Sequence, residues 1–536
     1  MKEPSLFELR YWQSRVARGQ ISRREFLGRA AALGASATFA TTMLAEVGKA
    51  EAAQKGGSAR FAVPGGSTTS TLDPGLYSDI FTQTALFGAM SNGLTEIDAD
   101  GNIVGDLAES FEPADGATRW IFRLHKGLTF HNGRDVTAED VVASVRHHLN
   151  PESTSAAKSL LSAVSEIKAD DKNMVIFTLK EGNADFPYLT SEYTQAIMPR
   201  NDDGTADWQS GIRTGPFILD SFQPGSSAKL KRNPNYHKDG KPYFDDVEFL
   251  AMADVTARTN ALLSGAVDWI GRADLKTLDL LKRDPNLLIT EVSGYGHYVL
   301  PMNCSTPPFD NLDVRLAIKF ALDRKQIVDK IFLGHATIGN DNPIAPSVKH
   351  AINPEPTYDL DPDKAKFYLK KAGLSSLKVD LSVADEAFSG AVDAAVLYQS
   401  DAAKCGIEIN VVREPNDGYW DNVWMKKGWC ASYWSGRPTC DWMFSAAYAE
   451  SAAYNETFWK NDRFNSLLIS ARPETDEKKR GEIYAEMQQL VHDDGGQIVL
   501  VFNNYVEAHS KKLAHGKIAS NWANDGLKIS ERWWFA

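Results

Sequence analysis

Residues 119–124, Arg-Trp-Ile-Phe-Arg-Leu, alternate in the period of a half-buried strand. Trp120, Phe122 and Leu124 share one face, and Arg119, Ile121 and Arg123 take the other. His131-Asn132-Gly133-Arg134 follows as a tight reversal, because Asn-Gly tolerates positive φ. Thr137-Ala138-Glu139-Asp140 then reads as an N-cap with acid in the first turn, opening a helix through Val141, Val142 and Val145. Further on, Phe249 to Ala253 forms a buried-strand pattern. A helix after Asp254 carries Ala257, Ala261 and Leu262 to a stop at Ser264-Gly265, and Val267 to Ile270 reads as the next strand. The same order recurs with Val379 to Val383, a helix through Val396 and Leu397, and Ile407 to Val411. Strand, helix and strand in series imply mixed α/β layers with parallel pairing, and the recurrence implies two α/β halves. With no fixed-period repeat and no Pro/Gly linker, the chain reads as woven rather than beaded.

The N-terminus departs from this pattern. Ser22-Arg23-Arg24-Glu25-Phe26-Leu27 sets paired arginines before an apolar residue, and a weakly hydrophobic run of Ala, Gly, Leu and Thr spans residues 30–45. This resembles a twin-arginine export signal. Ala50 and Ala52 fit the small-residue cleavage rule, so cleavage is expected after Ala52. The competing reading is an amphipathic helix of the mature protein, which the run's lack of a 3.6-residue stripe disfavours. No other stretch approaches the roughly 18–20 apolar residues of a membrane span.

Composition is ordinary for a large globular protein, at 43% hydrophobic and 24% charged over 536 residues. The net charge is -12. Eight Lys/Arg and five Asp/Glu lie in the first 52 residues, which leaves 50 basic and 65 acidic residues, net -15, in the remainder. That balance argues against a nucleic-acid partner, since no basic stripe is left for phosphates. Cys304, Cys405, Cys430 and Cys440 form neither a CxxC pair nor a Cys/His zinc spacing, so neither a metal site nor a cofactor is expected. Cys430 and Cys440 could close a short loop as a disulfide in an oxidising compartment; spacing alone leaves this open.

The stretch from Leu107 to Val142 carries a dense motif: Leu107-Ala108-Glu109-Ser110-Phe111-Glu112, the aromatic alternation from Trp120, Lys126-Gly127, Phe130-His131-Asn132-Gly133 and Thr137-Ala138-Glu139-Asp140-Val141. It resembles the signature of family 5 extracellular solute-binding proteins, the class of the oligopeptide and dipeptide receptors of bacterial ABC importers. Further segments fall in the family's order along nearly the whole mature chain. They include Gly215-Pro216-Phe217, Asn233-Pro234-Asn235-Tyr236, Leu263 to Asp268, Pro308-Phe309-Asp310-Asn311, Val314 to Ala317, Ala321 to Val328 and Asp363-Lys364-Ala365. Most of these residues read as fold-building, and Asp310 with Arg315 reads equally well as an ordinary surface ion pair.

The resemblance implies an α/β, periplasmic binding protein-like clam-shell of two α/β lobes plus an extra domain, discontinuous in sequence. The expected division is a signal peptide at 1–52, lobe I at 53–86, 206–292 and 505–536, extra domain II at 87–205, and lobe III at 293–504. It also implies a periplasmic, monomeric receptor that closes over a small-molecule or peptide-like solute by a hinge motion and hands it to the membrane permease subunits of an ABC importer.

Aromatic residues are densest from Tyr419-Trp420 through Trp424, Trp429, Tyr433-Trp434 and Trp442 to Trp459. Such a cluster is either core or cleft. Within it, Trp434-Ser435-Gly436-Arg437 stands where peptide-binding members carry Trp, a small residue, Gly and Asp, and in that family the Asp pairs with the free α-amino group of a bound peptide. Here the residue is Arg437, whose rigid guanidinium fork suits carboxylate or phosphate oxygens instead. The expected solute therefore carries an anionic group, as in an opine, polycarboxylate or phosphorylated compound. The alternative is that Arg437 pairs internally with Asp441, which itself reads as a ligand acceptor or as a helix N-cap. Trp434 and Tyr433 are expected to line the cleft. Tyr77, after Leu72-Asp73-Pro74-Gly75, is a weaker candidate, as are Tyr295 and His297 in Ser293-Gly294-Tyr295-Gly296-His297-Tyr298, where the chain is expected to cross between lobes on flexible glycines.

No G-x-S-x-G elbow, H-E-x-x-H, P-loop or G-x-G-x-x-G occurs. His147 and His148 are adjacent, so on a helix they diverge by about 100° and cannot share an ion. The chain is read as a receptor and not an enzyme; the alternatives are a secreted hydrolase with an unrecognised site, or a solute sensor outside transport.

Overall fold

The computed structural model describes residues 23–32, 54–415, 419–452 and 454–536. Arg23–Ala32 is helical; the rest of the proposed signal, including the cleavage point after Ala52, lies outside the described residues. Among those described, no helix is long and apolar enough to cross a membrane.

The alternation at 119–124 gives the strand Arg119–Leu124, with Trp120, Phe122 and Leu124 buried and Arg119 and Arg123 exposed. It lies inside a four-stranded antiparallel sheet with Ala108–Ala114, Met174–Leu179 and Val164–Asp171. Gly133 turns the chain at φ 82°, and its N–H donates to the Phe130 carbonyl at 2.9 Å. The helix Ala138–Leu149 then packs its valines into this sheet's own core. It starts at a capping box in which Asp140 accepts from the Thr137 N–H at 2.9 Å.

A nine-stranded sheet forms the centre of the molecule. Ser58–Val63 lies between Asp246–Ala251 and Trp269–Ile270, parallel to both, and the helix Val255–Leu263 makes the crossover. The strand ends at Ala251, short of the expected Ala253, because the Met252 and Ala253 carbonyls accept from the Arg258 guanidinium at 2.6 and 2.8 Å. Asp254 caps the helix through the Ala257 N–H at 2.7 Å.

The second α/β half is built as its pattern implied. Leu377–Val383 and Ile407–Arg413 pair in parallel through the helix Ala391–Lys404, over a separate core that includes Leu381, Ile409 and Tyr398. Two long antiparallel strands, Leu287–Val299 and Val499–Ser510, join this half to the first. Their pairing runs from Leu287 opposite Ser510 to Ser293 opposite Asn504, breaks, and resumes at His297 opposite Phe502. Gly294 sits in the break, where a Cβ would lie 2.9 Å from the Asn503 carbonyl oxygen and 2.8 Å from the Tyr505 ring.

Two readings that the sequence leaves open are decided by the structure. Arg315 is buried and donates to the Asp494 carboxylate at 2.8 Å and the Phe309 carbonyl at 2.8 Å, rather than making a surface pair with Asp310. Cys430 and Cys440 are both free thiols. The turn after Trp434 sends them into different cores, Cys430 beside Trp429 and Cys440 beside Met443.

Candidate functional site

The strand Ser432–Trp434 is the outermost strand of the large sheet, pairing Tyr433 with Tyr298 and Trp434 with His297. Strand alternation buries Ser432 and Trp434 and turns Tyr433 outward, 49% exposed against 7% for Trp434. The buried indole finds a partner, as such groups do: Trp434 Nε1 donates to Glu456 Oε1 at 2.8 Å. The same carboxylate accepts from Trp424 Nε1 at 2.5 Å and from the Gln497 amide at 2.9 Å.

Beyond Trp434 the backbone turns at Gly436, with φ 76°. A Cβ there would lie 2.2 Å from the Tyr295 carbonyl oxygen, so the close approach requires glycine. This turn aims Arg437 between two indoles, its guanidinium 6.0 Å from the Trp434 ring and 5.7 Å from the Trp442 ring. Arg437 Nη1 donates to the Gly436 carbonyl at 2.6 Å and to Ser435 Oγ at 3.3 Å. Its buried Nε has no partner among the described residues. Thr439 then caps the helix Cys440–Ala447, accepting from the Trp442 N–H at 3.2 Å.

Trp420, Trp424, Ser432, Tyr433, Trp434, Ser435, Arg437 and Tyr454 enclose a recess of about 350 Å³. Burial holds the Arg437 guanidinium below its ordinary pKa, while the Tyr193 phenol and the Glu192 carboxylate pull it back up. Glu192 is itself buried, which raises its pKa, and its carboxylate accepts from the Thr194 N–H at 2.8 Å. The Arg437 guanidinium, held by its own turn and within the field of Glu192, therefore faces a wall of aromatic rings.

The remaining expected residues fall in different places. Asp441 is buried in the first turn of the helix that Thr439 caps, and accepts from Arg472 Nε at 2.9 Å, so it is neither the N-cap nor the partner of Arg437. Burial raises its pKa against the pull of Arg472. It borders a neighbouring pocket with Asp185 and Trp442. Tyr295 lies in the core beneath the Gly436 turn. His297 is fully buried on that strand, with Nδ1 3.2 Å from the Tyr295 carbonyl, and burial lowers its pKa to about 4, so the ring is neutral. Tyr77 belongs to the core of the first half, donating to the Leu72 carbonyl at 3.1 Å, and burial pushes its phenol up to about 12. The recess thus gathers Arg437, Trp434 and Tyr433, and not Tyr77.

Sequence reasoning missed Glu456, Glu192 and Tyr454. The density of tryptophan pointed to the region, but nothing in spacing shows that Glu456 returns to the indoles of Trp424 and Trp434. Among the described residues, no group of three or more His, Cys, Asp or Glu is placed to hold a metal ion.

The glutathione-binding protein GsiB of Escherichia coli (strain K12) is 26% identical over 466 residues, covering 84% of this chain and 90% of that protein. HbpA2 from Haemophilus parasuis superposes with a TM-score of 0.79 at 21% identity, over 88% of this chain and 99% of that one. AgaA from A. tumefacien R10, solved in complex with agropinic acid, gives 0.68 at 24% identity over 90% and 99%. These likenesses give the fold as that of the two-lobed periplasmic binding proteins. The model for bacterial extracellular solute-binding proteins, family 5 Middle, matches residues 102–456, about two thirds of the sequence, and the chain belongs to that family.

Proposed function

We propose that this protein is the periplasmic receptor of an ABC importer, and that it captures a small solute bearing a carboxylate or phosphate. The observation that carries the reading is Arg437: a half-buried guanidinium, held by its own turn and flanked by Trp434 and Trp442, with a buried Nε unpartnered among the described residues. A planar fork in that setting favours a bidentate oxyanion. The relative solved with agropinic acid is consistent with an acidic cargo. Trp434 and Tyr433 form the adjoining wall, and Asp441 offers a polar group in the neighbouring pocket. Tyr295 supports the turn, with His297 behind it. Membership in a solute-binding family replaces the hydrolase and free-standing sensor readings with that of a receptor. The solute leaves unchanged, and permease subunits are the macromolecular partner of a monomer. The paired Arg23-Arg24 before Phe26 and Leu27 supports export by the twin-arginine route.

Calorimetric titration of the co-purified solute into the wild type and Arg437→Ala tests the clamp. A charge-assisted hydrogen bond of about 1.5–3 kcal/mol corresponds to a loss of roughly 10- to 150-fold in affinity. An unchanged dissociation constant removes Arg437 from the site.

A further inference from the structure

Five of the eight residues that line the recess are aromatic, Trp420, Trp424, Tyr433, Trp434 and Tyr454. Trp420 Nε1 donates to Glu386 at 3.2 Å, and the indole N–H groups of Trp424 and Trp434 both donate to Glu456. The polar handles of Trp424 and Trp434 are thus turned into the protein, and that of Trp420 is held at the surface by the exposed Glu386. Trp420 stands edge-on to Trp424, with centroids 6.0 Å apart, and to Tyr433, at 5.5 Å; Trp424 stacks on Tyr454 at 5.9 Å. Tyr433 and Tyr454 are 49% and 55% exposed, so two large rings of this array stand open to water. Polar side-chain groups come from Ser432, Ser435, Arg437 and the phenol hydroxyls of Tyr433 and Tyr454. An apolar cavity of about 150 Å³ is enough to bind benzene, and this recess of about 350 Å³ has room for a ring with a linking group.

We infer that the recess is a subsite for an aromatic group carried by the anionic solute, and that Glu456 is the positioning residue that sets its walls. This rests on the reading of Arg437 as the anion clamp. Aromatic walls in edge-on and stacked arrangements attract a further ring through both dispersion and quadrupole terms. Glu456 fixes the walls because its two oxygens accept three N–H groups, from Trp424, Trp434 and Gln497. A glutamine there has one acceptor oxygen, and its NH₂ would face an indole donor.

The test uses acetate, phenylacetate, cyclohexylacetate and benzyl alcohol as probes of the full chain, read by calorimetry and by the indole N–H resonances of ¹⁵N-tryptophan-labelled protein. Phenylacetate is expected to bind wild type about tenfold more tightly than acetate, from burial of the ring and its contacts with the walls. Benzyl alcohol should shift the Trp420 and Trp424 signals in wild type and in Arg437→Ala alike. Glu456→Gln should lose the tenfold advantage of phenylacetate over acetate and move the Trp424 and Trp434 signals. If that variant does not fold, Tyr454→Ala, at an exposed position, should lose the same advantage. Equal binding of phenylacetate and acetate, with no benzyl alcohol shifts, overturns the subsite whatever acetate does. An equal gain from cyclohexylacetate overturns its aromatic character. Retention of the full advantage in Glu456→Gln overturns the positioning role. If acetate does not bind while benzyl alcohol still shifts the indoles, the clamp fails and the subsite stands.

Discussion

A methyl group at position 436 would lie 2.2 Å from the Tyr295 carbonyl oxygen, on a residue held at φ 76°. Gly436→Ala should therefore cost about 1–3 kcal/mol in backbone strain alone, plus the displacement of Tyr295, and it should move Arg437 out of the recess. Thermal melting together with solute titration checks this, and a variant that binds and melts like the wild type contradicts it. Glu507 is a buried carboxyl on the long strand Val499–Ser510. Burial pushes its carboxyl from the ordinary 4.5 to about 8, with Asp525 adding to the rise. A carboxyl raised by folding contributes stability that is fully present below the unfolded value and is lost as pH rises through the folded one. The melting temperature of wild type should thus fall between pH 6 and pH 9, and Glu507→Gln should fall less. Identical slopes for the two proteins would show that Glu507 does not carry the effect. Single residues were also where the sequence was least legible. The glycine in Trp-Ser-Gly-Arg was visible, but not that it packs on the carbonyl of Tyr295, a neighbour over 140 positions away. Asp441 and Arg437 stand four apart, at helical spacing, yet the helix starts only after Thr439, which frees Arg437 and leaves Asp441 to Arg472.

Elements were far more legible, because their signals are local. The helix Ala138–Leu149 could be placed from Thr137 and Asp140 before its valines, and the capping box holds it. Thr137→Ala should destabilise the protein by about 1 kcal/mol. Asp140→Ala should cost more, because Asp140 also accepts from the Arg200 N–H at 2.7 Å and pairs with Arg134. Denaturant unfolding orders the two, and equal costs would mean that the tertiary contacts of Asp140 contribute nothing. The strands at 246–251 and 269–270, which flank 58–63 in parallel, and the parallel pair within 377–413 were likewise readable from runs of apolar residues broken by helix caps. The two crossing strands were not. Their register joins residues some two hundred positions apart, and the pairing break at Gly294 depends on Asn503 and Tyr505 from the other strand.

At the scale of the molecule, the four-stranded unit meets the second α/β half through a small set of contacts outside the recess. The Ala184 N–H donates to the Arg472 carbonyl at 2.7 Å, and Asp185 pairs with Arg480 at 3.1 Å, both side chains largely buried. Removing one partner of a buried pair costs about 3–5 kcal/mol, so Asp185→Ala should loosen this contact and speed solute release. Stopped-flow displacement measures that rate, and an unchanged rate would mean that the pair does not help hold the halves together. Arg472 also pairs with Asp441 in the helix that follows Arg437, so the contact and the recess share one short element. The most direct measurement is native mass spectrometry of the protein released from the periplasm of its own host without dialysis, alongside Arg437→Ala prepared in the same way. The expected spectrum shows wild type carrying one small solute whose mass and fragments include a carboxylate or phosphate, with the variant empty. A bound solute lacking any acidic group, or a variant that retains the same solute, would contradict an anion receptor built on Arg437.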